Sequence, residues 1–408
     1  MRKLIAMALC LSAMLTFTSC EEDDDNNPSS TALQQAAFDL VKEGVSGKVS
    51  TDASATGYDK NDANIAWTLT MGGTYASTAT EKVVKEGNIS TNETWTKDKI
   101  YVVTKRVTVL DGVTLTIEAG TRVEGDASFT GVDASVLMIA RGGKIMAQGT
   151  AAEPIIMTST SDVGAFTAAD KGEWGGLVVL GKAPISAENS EVQIEGVPAD
   201  DVNGLYGGTS ADDNSGVIQY VSIRHGGAVI DAAAGDEING LTLGGVGSGT
   251  TIDHVEVYAN SDDGIEFFGG SVDASYIVVA QVGDDAIDID QSYSGTVSNF
   301  LIKVDEDSDE GLEVDGREGD AKGSFTLTNG TIEAVSGSIT CDFKSKAMGT
   351  VTNLNANGGK VKLSASFDVA ALTSSEDAAQ NVIDGSLTFT GVNATFTIYT
   401  DDFESITQ

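Results

Sequence analysis

The amino-acid sequence predicts an all-β protein folded as a single-stranded parallel β-helix, a solenoid in which the chain winds in successive coils. Three observations lead to this prediction. Short runs with alternating apolar residues fill most of the chain from residue 94 onward. Helical periodicity is absent over about 300 residues of that region. An acidic motif recurs there at offsets of 22 and 25 residues, the length of one solenoid coil.

The predicted strands are β-branched runs separated by turn-forming residues. Representative runs cover residues 106–110, 113–118, 135–139, 154–158 and 177–180. Apolar and polar positions alternate in them, as in strands with one buried face. The chain has 47 glycines, which supply turns, and only four prolines. This pattern of short β-branched runs and glycine-rich turns predicts many short strands joined by tight turns.

An internal repeat favours a solenoid over a sandwich or a propeller. The sequence Asn260-Ser-Asp-Asp-Gly-Ile-Glu-Phe267 recurs in modified form at residues 282–289 and 307–314, each time after an apolar strand. Propeller blades need about 40 residues or more per repeat, so the spacing of 22 and 25 residues corresponds to a single coil. Equivalent positions then stack about 4.8 Å apart. At this period the region holds roughly 13 coils.

The chain divides into four predicted parts. Residues 1–19 have a basic start and a short apolar core, as in a signal peptide, and are too short for a membrane span. Residues 20–30 are acidic and poor in apolar groups, which predicts a solvated tether. Residues 31–93 predict a short helix (31–45) and then an irregular segment that caps the N-terminal end of the solenoid. Residues 94–408 form the predicted β-helix.

The residues around Cys20 predict lipid attachment. Ser19 directly precedes this cysteine, and apolar residues lie upstream. This arrangement resembles the lipobox of bacterial lipoproteins, in which the peptide is cut before the cysteine and the cysteine is acylated. The acidic run that follows resembles the surface-export signal of Bacteroidetes-type lipoproteins. We therefore expect a lipid-anchored, surface-exposed protein of the outer membrane; the alternatives are a periplasm-facing lipoprotein and a plain secretory peptide.

Charge and cysteine content exclude several classes of protein. The formal net charge is −37, and it becomes −39 when two basic residues leave with the signal peptide. Such an acidic surface repels nucleic acid and favours cations. The only histidines are His225 and His254, which argues against a histidine-rich transition-metal site. With Cys20 acylated and the signal peptide removed, Cys341 is the only thiol, so no intrachain disulfide forms.

Three further segments carry a family resemblance. Residues 111–125, 147–159 and 172–184, together with the acidic repeats, resemble successive coils of right-handed parallel β-helix surface lipoproteins of the Bacteroidetes type. That family falls within the pectin-lyase-like superfamily. The likeness covers residues 94 to about 340. It implies the right-handed fold and the cell-surface location, and it implies little about activity.

The repeats concentrate carboxylates on one side of three coils. Alternation points Ile265 and Phe267 inward and Glu266 outward, and the next two coils follow the same pattern. Like charges about 5 Å apart repel, and Ca²⁺ suits oxygen ligands of loose geometry. We therefore expect one or more Ca²⁺ ions on this ladder; a merely solvated acidic face is the alternative. The predicted metal ligands are Asp262, Asp263, Glu266, Asp284, Asp285, Asp288, Asp309, Glu310 and Glu313.

The same acidic turns raise a catalytic alternative. Asn260-Ser-Asp262 and Gly283-Asp-Asp285 resemble the Asn-Thr-Asp and Gly-Asp-Asp motifs of the polygalacturonase family, which shares this fold. This resemblance would assign the acid and base of an inverting hydrolysis to Asp262, Asp284 and Asp285. The sequence departs from that family because the next coil lacks its Gly-His-Gly motif, and Leu301 replaces the substrate-binding arginine of its Arg-Ile-Lys motif.

These observations favour a non-catalytic function over an enzymatic one. We predict a cell-surface lipoprotein that serves as an adhesion or glycan- or protein-binding scaffold with a calcium-binding acidic face. The predicted partners are the membrane, through the N-terminal lipid, and a polysaccharide or a surface protein, but no nucleic acid. The alternative is a carbohydrate-active enzyme, a polysaccharide hydrolase or lyase of the pectin-lyase-like superfamily.

Overall fold

The computed structural model describes residues 49–75, 77–231, 237–334, 339–344, 346–365, 386–400 and 403–407. The predicted signal peptide, tether and helix 31–45 lie outside these residues. No helix in the described part of the chain is long and apolar enough to cross a bilayer. Three single-turn 3-10 helices cover Leu69–Met71, Gly131–Asp133 and Val202–Gly204.

The strands are, in chain order, β1 (Val49–Thr51), β2 (Glu81–Ile89), β3 (Glu93–Trp95), β4 (Lys99–Val109), β5 (Thr114–Ile117), β6 (Arg122–Gly125), β7 (Val136–Ile139), β8 (Lys144–Gln148), β9 (Ile155–Ser159), β10 (Gly176–Leu180), β11 (Val192–Gln193), β12 (Leu205–Tyr206), β13 (Gly216–Arg224), β14 (Leu241–Gly244), β15 (Thr251–Tyr258), β16 (Ile265–Phe268), β17 (Asp273–Ala280), β18 (Ile287–Asp290), β19 (Thr296–Lys303), β20 (Leu312–Val314), β21 (Phe325–Glu333), β22 (Ile339–Phe343), β23 (Met348–Ala365), β24 (Ser386–Thr400) and β25 (Phe403–Thr407).

One continuous sheet contains every strand except the β11–β12 pair, and its pairings are parallel apart from β24 with β25. Strands pair with their equivalents one coil later, as β13 does with β15 and β15 with β17. This arrangement is a parallel β-helix, and it confirms the predicted fold class.

Each coil passes through three strand positions, called here faces 1, 2 and 3. Face 1 holds β3, β5 and β8 and the first halves of the long strands from β13 onward. Face 2 holds the first parts of β2 and β4, the strands β6 and β9, and the second halves of the long strands from β13 onward. Face 3 holds β7, β10, β14, β16, β18, β20 and β22.

The described residues place eleven strands on face 2, fewer than the roughly 13 coils expected from the period. The difference arises from insertions between strands that still stack in register. Leu177 and Leu241 are direct neighbours on face 3 although 64 residues separate them. A period measured in three compact coils therefore overestimates the number of coils.

A single residue makes the bend between faces 1 and 2 in each long strand. It has a positive φ, between 49° and 57°, in six successive coils. The residues are Tyr220, His254, Tyr276, Asn299, Asn329 and Asn353. Asparagine tolerates this backbone region, and the three amides are joined by hydrogen bonds of 2.5 and 2.8 Å. The His254 ring is stacked between two tyrosine rings, at centroid distances of 4.2 and 4.4 Å.

The N-terminal segment runs along the outside of the solenoid. Residues 49–75, called here the strap, begin beside the last coil, where β1 pairs with β24. The strap then follows face 2 toward the first coils. Thr331 donates a hydrogen bond to the Tyr58 carbonyl, Ile65 packs on Leu301, and the Tyr75 hydroxyl donates to the Gly120 carbonyl.

We expected this part of the chain to cap the N-terminal end of the solenoid, and the strap lies lengthwise against face 2 instead. Its apolar side chains, such as Tyr58 and Ile65, find a long apolar surface there rather than at one end. The solenoid also begins earlier than residue 94, because Glu81 to Ile89 of β2 pair in parallel with β4.

Candidate acidic site

The acidic repeats lie in register on face 3. Glu266 pairs with Asp288, Asp288 with Glu313, and Glu313 with Asp342, so four carboxylates stack in one line called here the acidic column. The alternation predicted for these coils is confirmed, because Ile265 and its equivalents in the next two coils face the core and are at most 1% exposed. Asp342 extends the column by one coil beyond the three that the repeat identified.

The acidic column is largely buried, although it points away from the solenoid core. Glu266 is 7% exposed, Asp288 is 9% and Asp342 is 2%. An insertion between β10 and β13 covers the neighbouring part of face 3, where Ile185 and Ile194 join an apolar cluster with Phe268. A merely solvated acidic face therefore does not describe these carboxylates.

In the first two acidic turns the second carboxylate accepts a hydrogen bond from the backbone of the next coil. Asp263 accepts a hydrogen bond from the Asp285 amide at 2.9 Å, and Asp285 accepts one from the Glu310 amide at 2.7 Å. These three acids are at most 7% exposed. The first acid of each pair is more accessible: Asp262 is half-buried and Asp284 is exposed.

The structure brings five of the nine predicted metal ligands into two overlapping groups. Carboxylate oxygens of Asp263, Glu266 and Asp288 lie within 4.8 Å of one another in a fully buried group. Carboxylate oxygens of Asp262, Asp263 and Asp284 form a second group within the same distance, at the edge of the first. Asp263 belongs to both groups.

The other four predicted ligands belong to neither group. Asp285 is buried by its coil-to-coil hydrogen bond, and Glu310 is buried in the equivalent turn of the next coil. Asp309 is exposed. Glu313 forms an ion pair with Lys344.

Several buried oxygen atoms around the first group have no hydrogen-bond donor. Asp288 Oδ1 has none, and neither has Oδ1 of Asn239 or of Asn260. Asn239 nevertheless touches the group, because its Nδ2 donates to the Glu266 carboxylate at 2.5 Å, whereas Asn260 Nδ2 donates to the backbone carbonyl of Asp263 at 2.7 Å. Buried acceptors without donors are costly, so the site is incomplete without a further positive or donating group.

Sequence reasoning missed Asn239 as part of the site, and it did not single out the bond from Asn260 to the Asp263 backbone beside the site. Asn239 belongs to the coil before the first recognised repeat, and Asn239-Gly-Leu-Thr-Leu243 has the same register as Asp263-Gly-Ile-Glu-Phe267. Extending the repeat one coil toward the N-terminus would have found it. Asn260 lies inside the first repeat, and there no signal distinguished it from an ordinary turn residue.

Burial dominates the acid–base behaviour of the site. It raises the pKa of Asp263, Glu266 and Asp288 well above the usual carboxyl range, and the neighbouring carboxylates raise it further. Burial also raises the pKa of Asp262 to about 7, with contributions from Glu195 of the insertion and from Asp284. Without a counterion, the group therefore cannot carry a full set of negative charges near neutral pH.

Lysines neutralise the far end of the acidic column. Lys344 pairs with Glu313 and, at 3.4 Å, with Asp315, and Lys362 pairs with Asp342 at 2.7 Å. The five acids of the two groups form no ion pair with any described residue. One column thus contains a compensated half and an uncompensated half.

The proposed catalytic aspartates are not equally accessible. Asp285 is 3% exposed, and its carboxylate is occupied by the Glu310 amide. Asp262 and Asp284 lie together, with oxygens within 4.8 Å. Inverting hydrolases hold their two carboxyl groups about 6.5–9.5 Å apart to admit water. The three residues therefore do not form the arrangement that the polygalacturonase resemblance implies.

The fold and the site define a parallel β-helix with a buried acidic column on one face. Residues 87–407 match the model of the family described as "Pectate-lyase like beta helix domain". The chain belongs to this family, which bears out the resemblance to the pectin-lyase-like superfamily. No curated protein and no solved structure matches the chain.

Proposed function

We propose that this chain is a lipid-anchored cell-surface protein whose β-helix is a non-catalytic scaffold for binding a glycan or a protein, built around a calcium site. Long solenoid faces suit extended partners. The burial of Asp285 and the missing histidine and arginine of the hydrolase motifs support a binding role over catalysis.

The observation that carries the calcium site is the uneven compensation of charge along one column. Glu313 and Asp342 each have a lysine partner. Asp288 and Glu266 occupy equivalent positions one and two coils before Glu313, and neither forms an ion pair with a described residue; the charge of Lys344 reaches Asp288 only at longer range. Buried charges without partners are strongly unfavourable. A bound cation at the Asp263–Glu266–Asp288 group supplies the charge that lysines supply further along.

The donor set fits Ca²⁺ better than a transition metal. Carboxylate oxygens form the buried group, one of them accepting a hydrogen bond from Asn239 Nδ2, and oxygen ligands of variable geometry are what Ca²⁺ prefers. Zinc sites use cysteine and histidine ligands, and neither residue type occurs in the two groups. Asp262 is half-buried and Asp284 is exposed, so a cation can enter the site from solvent at this edge.

Isothermal titration with Ca²⁺ and Mg²⁺ of EGTA-treated protein tests the site directly. The expected result is Ca²⁺ binding in the wild type and at least tenfold weaker binding in Asp288→Asn. Glu188→Gln, which removes an exposed acid of the insertion, is the matched control and retains wild-type affinity. Absence of Ca²⁺ binding in the wild type would reject the calcium site.

The membrane anchor rests on the lipobox-like residues before Cys20 and on the acidic run after it. In cells, Cys20→Ser is expected to shift the protein from the membrane fraction to a soluble fraction, because the acyl chains attach at that thiol and amine. External protease added to intact cells is expected to degrade the wild type. Full protection from the protease would place the protein on the inner side of the outer membrane.

A carbohydrate-active enzyme is the second candidate, and one observation favours it. Asp262, with its pKa raised by burial to about 7, lies beside the exposed Asp284, so one of the two can hold a proton near neutral pH while the other stays ionised. A panel of polysaccharides assayed for reducing ends and unsaturated products tests this function. Turnover that is lost in both Asp262→Asn and Asp284→Asn would replace the binding scaffold as the favoured function.

A further inference from the structure

The strap and the acidic site engage the same coils from two sides. On face 2, Glu256 of β15 and Val278 of β17 contact the strap. The chain passes from Glu256 to Asp262 within six residues and from Val278 to Asp284 within six residues. The coils that supply both acidic groups are therefore the coils that the strap holds.

Glu256 is the most heavily bonded contact of the strap. Its side chain is fully buried, and it accepts hydrogen bonds from the Leu69 amide at 3.1 Å and from the Thr70 amide and hydroxyl at 2.8 Å. Ser222 donates to the same carboxylate at 2.6 Å, and Arg224 lies 3.8 Å away. A change in the position of β15 would break this whole set of bonds.

Apolar contacts continue the attachment over the next two coils. Ile65 is fully buried and packs with Val278 and Leu301. The Tyr58 ring meets Tyr276 edge-on at 6.2 Å. The strap thus spans β15, β17 and β19, whereas the buried carboxylates join the coils of β16 and β18.

We propose that docking of the strap and binding of the cation are thermodynamically linked, each favouring the other; this inference rests on the proposed calcium site. In a solenoid each coil is held mainly by its neighbours, so separation of two coils is a local event. Separation of the β15–β16 coil from the β17–β18 coil would both split the ligand group and detach the strap. A ligand that holds the two coils together therefore stabilises the strap, and the docked strap preserves the cation geometry.

Linkage is reciprocal, so it can be measured from either side. From the cation side, hydrogen exchange of the wild type in Ca²⁺ and in EGTA needs no variant. The amides of Leu69 and Thr70, which bond to Glu256, are expected to exchange at least about fivefold faster in EGTA. The Ile145 amide, bonded to the Ser215 carbonyl in the early coils, is the internal reference and keeps its rate.

From the strap side, Ile65→Ala is expected to weaken Ca²⁺ binding at least about fivefold, measured by isothermal titration. Ile145→Ala removes the same side chain from another fully buried position, on face 1 two coils before β15, and is expected to leave the affinity unchanged. Equal affinity in wild type and Ile65→Ala, or equal loss in both variants, would overturn the linkage.

The two proposals fail in distinguishable ways. If the wild type binds no Ca²⁺, the calcium site is rejected and the linkage falls with it. If the wild type binds Ca²⁺ but the Leu69 and Thr70 amides exchange equally fast in Ca²⁺ and EGTA, only the linkage is wrong. The hydrogen-exchange test uses only the wild type, so it decides the linkage even if Ile65→Ala does not fold.

Discussion

Replacing Asp288 by asparagine should stabilise the metal-free protein and reduce its stabilisation by calcium. Asp288 lies within 4.8 Å of carboxylate oxygens of both Asp263 and Glu266. At an effective dielectric near 20, two unit charges at that distance repel by about 3.5 kcal/mol. Protonation of one partner removes part of this repulsion, so relief of about 3 kcal/mol is expected at mildly alkaline pH, where the remaining acids ionise most fully.

Thermal and guanidinium unfolding of the wild type and Asp288→Asn, in EGTA and in millimolar Ca²⁺, measure this effect. In EGTA the variant should have the higher midpoint. At a Ca²⁺ concentration one hundred times the wild-type Kd, Ca²⁺ should stabilise the wild type by about 2.7 kcal/mol and the variant by at most about 1.4 kcal/mol. The advantage of the variant in EGTA is therefore expected to shrink in Ca²⁺ by at least about 1.3 kcal/mol.

The next position of the same column provides the control. Glu313→Gln removes one of the two ion-pair partners of Lys344 and also relieves the repulsion between Glu313 and Asp288. Because loss of a partly exposed ion pair, worth about 1 kcal/mol, opposes the relieved repulsion, Glu313→Gln is expected to stabilise the protein in EGTA less than Asp288→Asn does. If Asp288→Asn lowered the unfolding midpoint in EGTA relative to the wild type, the charge-repulsion argument for this group would be refuted.

Three further outcomes follow from the geometry. In EGTA, thermal stability should fall as pH rises from about 4 to about 7, because burial raises the pKa of Asp290 and Glu310 to about 7 and the folded state then binds more protons than the unfolded chain; stability that increases across this window would contradict the assignment. Gly330→Ala should lower the free energy of unfolding in guanidinium by about 1–3 kcal/mol, because its Cβ would lie 2.0 Å from the buried ring of Phe300. An unchanged free energy would mean that the neighbouring coils shift to accommodate the methyl group. Asn239→Ala should weaken Ca²⁺ binding about tenfold in isothermal titration, or about 1.4 kcal/mol, if its amide completes the site, and unchanged affinity would remove it from the ligand shell.

The repeat made the register of face 3 predictable. Ile265, Ile287 and Leu312 stack inward as alternation requires, and Glu266, Asp288 and Glu313 stack beside them in one line. Side chains in a strand alternate with a period of two, so one aligned motif specifies the direction of every residue in it. The membership of Asn239 was equally accessible to that reasoning, because its coil follows the same pattern with a less acidic sequence.

The path of the strap was not predictable in the same way. Residues 49–75 have little periodicity, and their contacts are with residues such as Glu256 and Thr331, between about 190 and 270 positions away. Such contacts depend on which outward face is apolar once all coils have stacked. The local pattern of apolar residues in the strap does not indicate which face of the stacked coils it will follow.

The sequence by itself determined the solenoid, the alternation within its coils and the alignment of the acidic turns, because these follow from local period and repeat length. Only the tertiary structure decided how the carboxylates are used. It buried Glu266 and Asp288 near an insertion from earlier coils, and it gave Glu313 a lysine that the earlier positions lack. Alternation predicts whether a side chain points into or out of the coil. Its burial and charge compensation depend on other segments that contact it only after folding.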